Sequence, residues 1–258
     1  MDPLAFVTAL ARDAGALLLE RLDAPRTVAL KGARDLVTDA DRASEALIVA
    51  RIRAAFPQAA ILGEEGGAYG GDARERFIVD PLDGTTNYAH RYPLFCVSIA
   101  YEREGIVEAG AIDAPALRMS FAAARGCGAT RNGEPLRVSA TASLDDALVC
   151  TGFKPADYAR NGAHFAAMSR AAGAVRRDGS AALDLAFVAA GVFDAFWEWD
   201  LAPWDVAAGA LIVREAGGTV SAIDGSTFRL DGRSIAASNA HLQRTLCAVL
   251  ARAGDPSA

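Results

Sequence analysis

Apolar residues at Leu4, Val7, Leu10, Ala11, Ala14, Leu17 and Leu18 recur with the three-and-four spacing of a helix that buries one face, so residues 3–22 are expected to be helical. The same period returns over 38–56, with Leu47, Ile48, Ile52 and Phe56 inward. Thr38 followed three residues later by Asp41 marks the start of that helix, and Pro57 lies just past its end. Strand-length apolar runs then occupy 60–62, 77–79 and 95–100, followed in series by 107–112, 119–123 and 128–131. Asn132-Gly133 is a strong hairpin signal. After Leu144 the rhythm changes. Strands at 147–150, 174–177, 193–197, 219–223 and 234–237 alternate with helices at 157–172, 181–190, 205–216 and 240–253, and Gly217-Gly218 is a well-placed helix stop. The pattern predicts one domain over 1–258. Its first half, about 1–140, combines helices with an antiparallel-rich sheet, and its second, about 141–258, is of α/β type.

Composition narrows the classes without choosing among enzymes. Apolar residues make up 52% of the 258, enough for a large core and too many for a disordered chain. The apolar runs are broken by charge well short of the roughly 20 residues that a membrane span needs. Met1-Asp2-Pro3-Leu4 lacks a basic segment ahead of an apolar run, so a signal peptide is not expected and the cytoplasm is. Four cysteines (Cys96, Cys127, Cys150 and Cys247) form no C-x-x-C pair, which fits reduced thiols rather than a zinc site or disulfide framework. A net charge of -6 leaves no footprint for nucleic acid. An acidic protein acting on an anionic substrate needs local positive charge, and a bound cation supplies it.

The chemistry gathers where strands end. In Val79-Asp80-Pro81-Leu82-Asp83-Gly84-Thr85-Thr86-Asn87 a β-run is expected to deliver Asp80 at its end, with Pro81 stopping the ladder because it has no N–H to donate. Asp83 then converges with Asp80, and the N–H groups of Gly84 and Thr85 suit phosphate oxygens. Gly63-Glu64-Glu65-Gly66 places adjacent acids at another strand end, and Pro203-Trp204-Asp205 opens an apolar helix reaching Gly209. Each has a plain reading when taken alone: a capped turn, a solvated pair, a helix-dipole partner worth under about 1 kcal/mol.

Taken in order, the run Asp41, Glu64-Glu65, Asp80-Pro81-Leu82-Asp83-Gly84-Thr85 and Trp204-Asp205 with Gly209 resembles the inositol monophosphatase family of Mg²⁺-dependent, lithium-sensitive phosphatases, in its bacterial branch. Asp35-Leu36-Val37-Thr38, Gly179-Ser180-Ala181-Ala182 and Glu215-Ala216-Gly217-Gly218 extend the resemblance over nearly the whole chain. It implies a layered α-β-α-β-α sandwich of the inositol monophosphatase and fructose-1,6-bisphosphatase type, and a homodimer. It also implies roles. Glu64, Asp80 and the Leu82 carbonyl would hold a first Mg²⁺, and Asp80, Asp83 and Asp205 a second. A third, weaker ion would rest on Glu64 and waters. Thr85 and Asp41 would take the proton of the attacking water, and Lys31 precedes them in an expected loop. Thr86-Asn87 matches the inositol monophosphatase branch, whereas relatives acting on 3'-phosphoadenosine phosphates or histidinol phosphate often carry a basic residue at the place of Thr86. Glu198 matches the carboxylate that accepts hydrogen bonds from sugar hydroxyls, and Trp199-Asp200 beside it departs from the commoner forms. The expected substrate is a small phosphate monoester, with myo-inositol 1-phosphate ahead of histidinol phosphate, fructose 1,6-bisphosphate and NADP. A regulatory interaction protein that keeps the fold is the competing class.

Overall fold

The computed structural model describes residues 1–23, 28–32, 35–153 and 158–253, with the backbone alone at 28–32, 35–38 and 158–160. The chain begins α1 (Pro3–Leu22), β1 (Val28–Gly32), β2 (Asp35–Thr38), α2 (Asp39–Ala55), β3 (Ala59–Gly63), β4 (Gly67–Tyr69) and β5 (Asp72–Asp83). It continues α3 (Thr85–Ala89), β6 (Cys96–Arg103), β7 (Ile106–Ala114), β8 (Met119–Ala124), β9 (Ala129–Arg131) and β10 (Glu134–Pro135). The remainder is β11 (Leu148–Thr151), α4 (Tyr158–Ala171), β12 (Ala174–Arg176), α5 (Ala181–Ala189), β13 (Ala195–Trp199), α6 (Pro203–Glu215), β14 (Thr219–Ser221), β15 (Ser234–Ser238) and α7 (Gln243–Ala253).

These elements stack in five layers, the expected α-β-α-β-α sandwich. The outer pair α1 and α2 covers one face of an eight-stranded sheet ordered β10-β9-β8-β7-β6-β5-β3-β4. Helices α5 and α6 fill the space between that sheet and a five-stranded one ordered β12-β11-β13-β15-β14, and α4 with α7 closes the far side. Three apolar clusters follow from this stacking. Val7, Leu10, Ile48, Phe77 and Tyr101 pack under α1 and α2. Ile78, Phe121, Leu185, Phe196 and Ile212 pack between the sheets, and Met168, Trp197 and Leu246 pack outside the second sheet. The middle helices are apolar all round because they touch protein on every side. No helix among the described residues is long and apolar enough to cross a membrane.

Two expectations need correction. The strand carrying Asp80 does not stop at Pro81: β5 continues to Asp83, still paired with β6. Asp80 lies opposite Ser98 and Asp83 opposite Cys96, so three steps on β5 match two on β6 and the strand bulges at Pro81-Leu82. A bulge tolerates proline because the extra residue is out of the ladder. The segment around Lys31, read as a loop, belongs to the antiparallel pair β1–β2; the side chains of Lys31 and of 35–38 lie outside the described residues, as does residue 157 of the helix predicted over 157–172. The Asn132-Gly133 turn is present, with both residues at positive φ (54° and 87°), as a two-residue hairpin requires.

Candidate active site

Because the bulge absorbs one residue, Asp80 and Asp83 point to the same side of β5, toward α5 and α6. Asp80 is 1% exposed and accepts a hydrogen bond from the Leu82 N–H at 3.0 Å. Asp83 is gripped from the far layer. It accepts from the Ser180 hydroxyl and the Ala182 N–H, both at 2.7 Å, so the first turn of α5 closes onto it. Ser180 and Ala182 belong to a segment visible in the sequence, but their contact with Asp83 was not.

Glu64 and Glu65 form the turn between β3 and β4, at the end of β3 that neighbours Val79 of β5. Glu45, a buried acid on α2, builds this turn by accepting from the Glu65 N–H at 2.9 Å, the Gly66 N–H at 2.7 Å and the Tyr69 hydroxyl at 2.8 Å. Burial and the Glu45 carboxylate push the Tyr69 phenol up to about 12. The packing is close: a Cβ on Gly66 would meet the Tyr69 Oη and lie 2.8 Å from a Glu45 carboxylate oxygen. Sequence reasoning missed Glu45. The signal was an acid on the apolar face of α2, in phase with Asp41, Ile48 and Ile52.

The Thr85 hydroxyl lies 3.1 Å from both an Asp41 carboxylate oxygen and the Leu82 carbonyl, and its one proton can serve only one of them at a time. Asp41 is buried at the start of α2, and the neighbouring Ser44 hydroxyl donates to the Pro81 carbonyl at 2.8 Å, which ties that helix to the bulge. Gly84 reaches φ 87° against the Leu94 carbonyl, where an added Cβ would come within 2.9 Å. It opens α3 without a side-chain cap on the first amides of that turn. Asn87, next to Thr86, donates to the Leu94 carbonyl at 2.6 Å and the Asp178 carbonyl at 2.8 Å.

From the middle helices and the second sheet come Asp205 and Glu198. Asp205, in the first turn of α6, accepts from the Ala202 N–H at 2.6 Å. Glu198 is only 9% exposed, against the outline of Gly152. Side chains alternate along β13, so Phe196 and Glu198 face the inter-sheet layer while Trp197 and Trp199 face outward. Trp199 accordingly packs against His164 of α4, ring centres 4.3 Å apart and planes tilted by 52°, and Asp200 pairs with Arg233 at 2.9 Å.

The electrostatics are those of carboxylates crowded out of water. Burial raises Asp80 well above the ordinary range, and Glu64, Asp83 and Asp205 add to the shift. Burial likewise lifts Asp83 to about 6, opposed by the hydrogen bonds from Ser180 and Ala182. Glu198 is raised by burial and then by Asp184, Asp205 and Asp83, with Arg177 opposing. The leading influences on Asp80 all disfavour its charge, and a hard divalent cation with oxygen ligands is the group that reverses them. The residues present fit such a cation: carboxylates and carbonyls, with no histidine.

A sequence profile described as the inositol monophosphatase family matches residues 2–254. An inositol-1-monophosphatase of Mesorhizobium japonicum is 47% identical over 224 residues, 85% of this chain and 84% of that one. A protein of Pseudomonas aeruginosa named Nus factor SuhB is 46% identical over 240 residues, 89% of this chain and 88% of that one. Among solved structures, the extragenic suppressor protein suhB of Bartonella henselae superposes with a TM-score of 0.93 at 40% identity, covering 95% of this chain and 97% of that one.

Proposed function

Because the chain belongs to the inositol monophosphatase family, we propose that it hydrolyses a small phosphate monoester, with myo-inositol 1-phosphate as the first candidate. The observation that supports this reading is that Glu64 and Asp83 of the first sheet and Asp205 of the middle helices all bear on the buried Asp80 carboxyl group. Two to three Mg²⁺ ions held by these residues and the Leu82 carbonyl would supply Lewis acidity to phosphate oxygens and lower the pKa of water. Thr85 and Asp41 then have one task, to accept the proton that the attacking water gives up, and their 3.1 Å contact suits it. The amides of Gly84 and Thr85 face phosphate oxygens, and Glu198 accepts hydrogen bonds from the hydroxyls of a polyol. Attack is direct, without a protein nucleophile. A homodimer and uncompetitive inhibition by Li⁺ belong to the same proposal.

Chelation should abolish turnover and Mg²⁺ should restore it. Asp80→Asn should lower kcat by about 10²-fold or more, as the loss of a central electrostatic group does. Near-normal turnover by Asp80→Asn in saturating Mg²⁺ would place the site elsewhere. Steady-state kinetics on a panel that includes histidinol phosphate, fructose 1,6-bisphosphate and NADP rank the substrates. A second reading, a regulatory interaction protein, is favoured by the relative named Nus factor SuhB. The complete carboxylate set weighs toward catalysis, and a chain inert on the whole panel would reverse that balance.

A further inference from the structure

Beneath the proposed substrate face lies a second group of metal-ligating atoms that the phosphatase chemistry does not use. Cys150 at the end of β11, Asp178 in the turn before α5 and Asp184 on α5 bring one sulfur and two carboxylates together, all within 4.8 Å of one another. Asp184 is the anomaly. It is 1% exposed, and among the described residues neither of its oxygens has a hydrogen-bond partner. A buried carboxylate without partners costs several kcal/mol unless it is neutralised or ligates an ion. Burial disfavours its charge most, the Cys150 thiol beside it offers partial relief, and the charges that act on it, Asp178 and Asp83, are both negative. Cys150 is fully buried; its thiol lies 3.9 Å from the adjacent Thr151 carbonyl and interacts with Asp184 and with the backbone of Asp178. Asp178 is half-buried and gives the cluster a side open to solvent.

We propose that Cys150, Asp178 and Asp184 form a further cation site, separate from the oxygen-only cluster, which takes a borderline divalent ion of the Zn²⁺ class through one thiolate and two carboxylates. Donor chemistry sets the class: thiolate is a poor ligand for Mg²⁺ and a good one for Zn²⁺ or Cd²⁺. Binding forms a metal–sulfur bond and releases the Cys150 proton to solvent, because only the thiolate ligates. Burial and the neighbouring acids hold that thiol high in the apo protein, and the ion reverses the preference. The bound ion would join β11 to the turn before α5 and to the helix itself. The N-terminus of that helix holds Asp83, so the ion would steady the catalytic cluster from behind without touching substrate.

The test uses the full chain saturated with Mg²⁺, with the exposed Cys127 replaced by Ser to remove a competing thiol. Titrated with Cd²⁺, this protein should show the ultraviolet thiolate-to-cadmium charge-transfer band, saturating at one ion per chain. Cys150→Ser should abolish the band. Cys96→Ser should leave it, although Cys96 lies 3.8 Å from Asp83. Asp178→Asn, at a half-exposed position that folding should tolerate, should weaken Cd²⁺ binding at least about tenfold, the loss typical of even an outer-shell partner. Zn²⁺ should raise the Tm of the parent and not that of Asp178→Asn. Absence of the band, its survival in Cys150→Ser, its loss in Cys96→Ser, or an equal Zn²⁺ shift in Asp178→Asn would each overturn the proposal.

Discussion

A carboxyl group as deeply placed as Glu198 is held there against its solvation, so it earns its position through what it binds. Charged acceptors make hydrogen bonds worth roughly 1.5–3 kcal/mol. Glu198→Gln should therefore lower kcat/KM for an inositol phosphate by about one to two orders of magnitude while barely changing p-nitrophenyl phosphate, which has no hydroxyls to present. Equal losses on both would make Glu198 a support of the fold rather than a polyol acceptor. Glu45 acts one step back. It holds the amides of Glu65 and Gly66 and so fixes where Glu64 points. Glu45→Gln keeps the volume but loses the double acceptor. Its expected signature is a rise of about tenfold in the Mg²⁺ concentration needed for half-maximal rate, with kcat largely kept once Mg²⁺ saturates. A fall in kcat with unchanged Mg²⁺ dependence would contradict that role.

At the scale of elements, the helices α5 and α6 decide how closely the layers meet. They cross at Gly209, where a Cβ would lie 2.7 Å from the Leu185 side chain. Gly209→Val should overpack the crossing and cost about 1–3 kcal/mol in urea unfolding; an unchanged midpoint would show slack at that contact. This contact was not legible in the sequence, and the reason is general. The period of α1 and α2 could be read because each buries one face. The apolar, small-residue run of α6 identified a buried helix but not its neighbour. The acids proposed for the site stood out in the sequence because acids at strand ends are conspicuous. Glu45 and the Ser180 contact did not, since their partners lie 20 and 97 residues away, respectively. The β1–β2 pairing was missed for the opposite reason: Val28–Gly32 and Asp35–Thr38 are short and carry charge, and among the described residues they pair with each other alone.

The whole molecule carries its acids as a load on stability that metal relieves. The folded pKa of Asp83 is about 6 against an ordinary 3.8, and Asp113, 7% exposed, is lifted by burial to the same level. A folded state that holds its protons more tightly than the unfolded chain is favoured at low pH. That contribution is complete below about 3.8 and is lost as pH rises through about 6. Asp80, Asp184 and Glu198 shift the same way. The chelated protein should thus have a lower Tm near pH 7 than near about pH 5. Mg²⁺ should narrow that gap, because ligating carboxylates no longer gain from protonation. Identical pH dependence with and without Mg²⁺ would remove the cluster from the account.

The bulge at Pro81-Leu82 has a consequence of arithmetic. Along an unbroken strand, residues an odd number apart have opposite parity, and Asp80 and Asp83 are three apart. The extra residue cancels the odd step, so two acids that a regular ladder would send to opposite compartments share one. Most changes near an active site are graded, since a side chain shortens or a charge weakens. Whether the ladder holds one residue out here is binary. Paired without the bulge, β5 would slip by one against β6, and one of the two carboxylates would face α2 instead of α5. The sheet can close either way, but only the bulged pairing brings both acids to the proposed site.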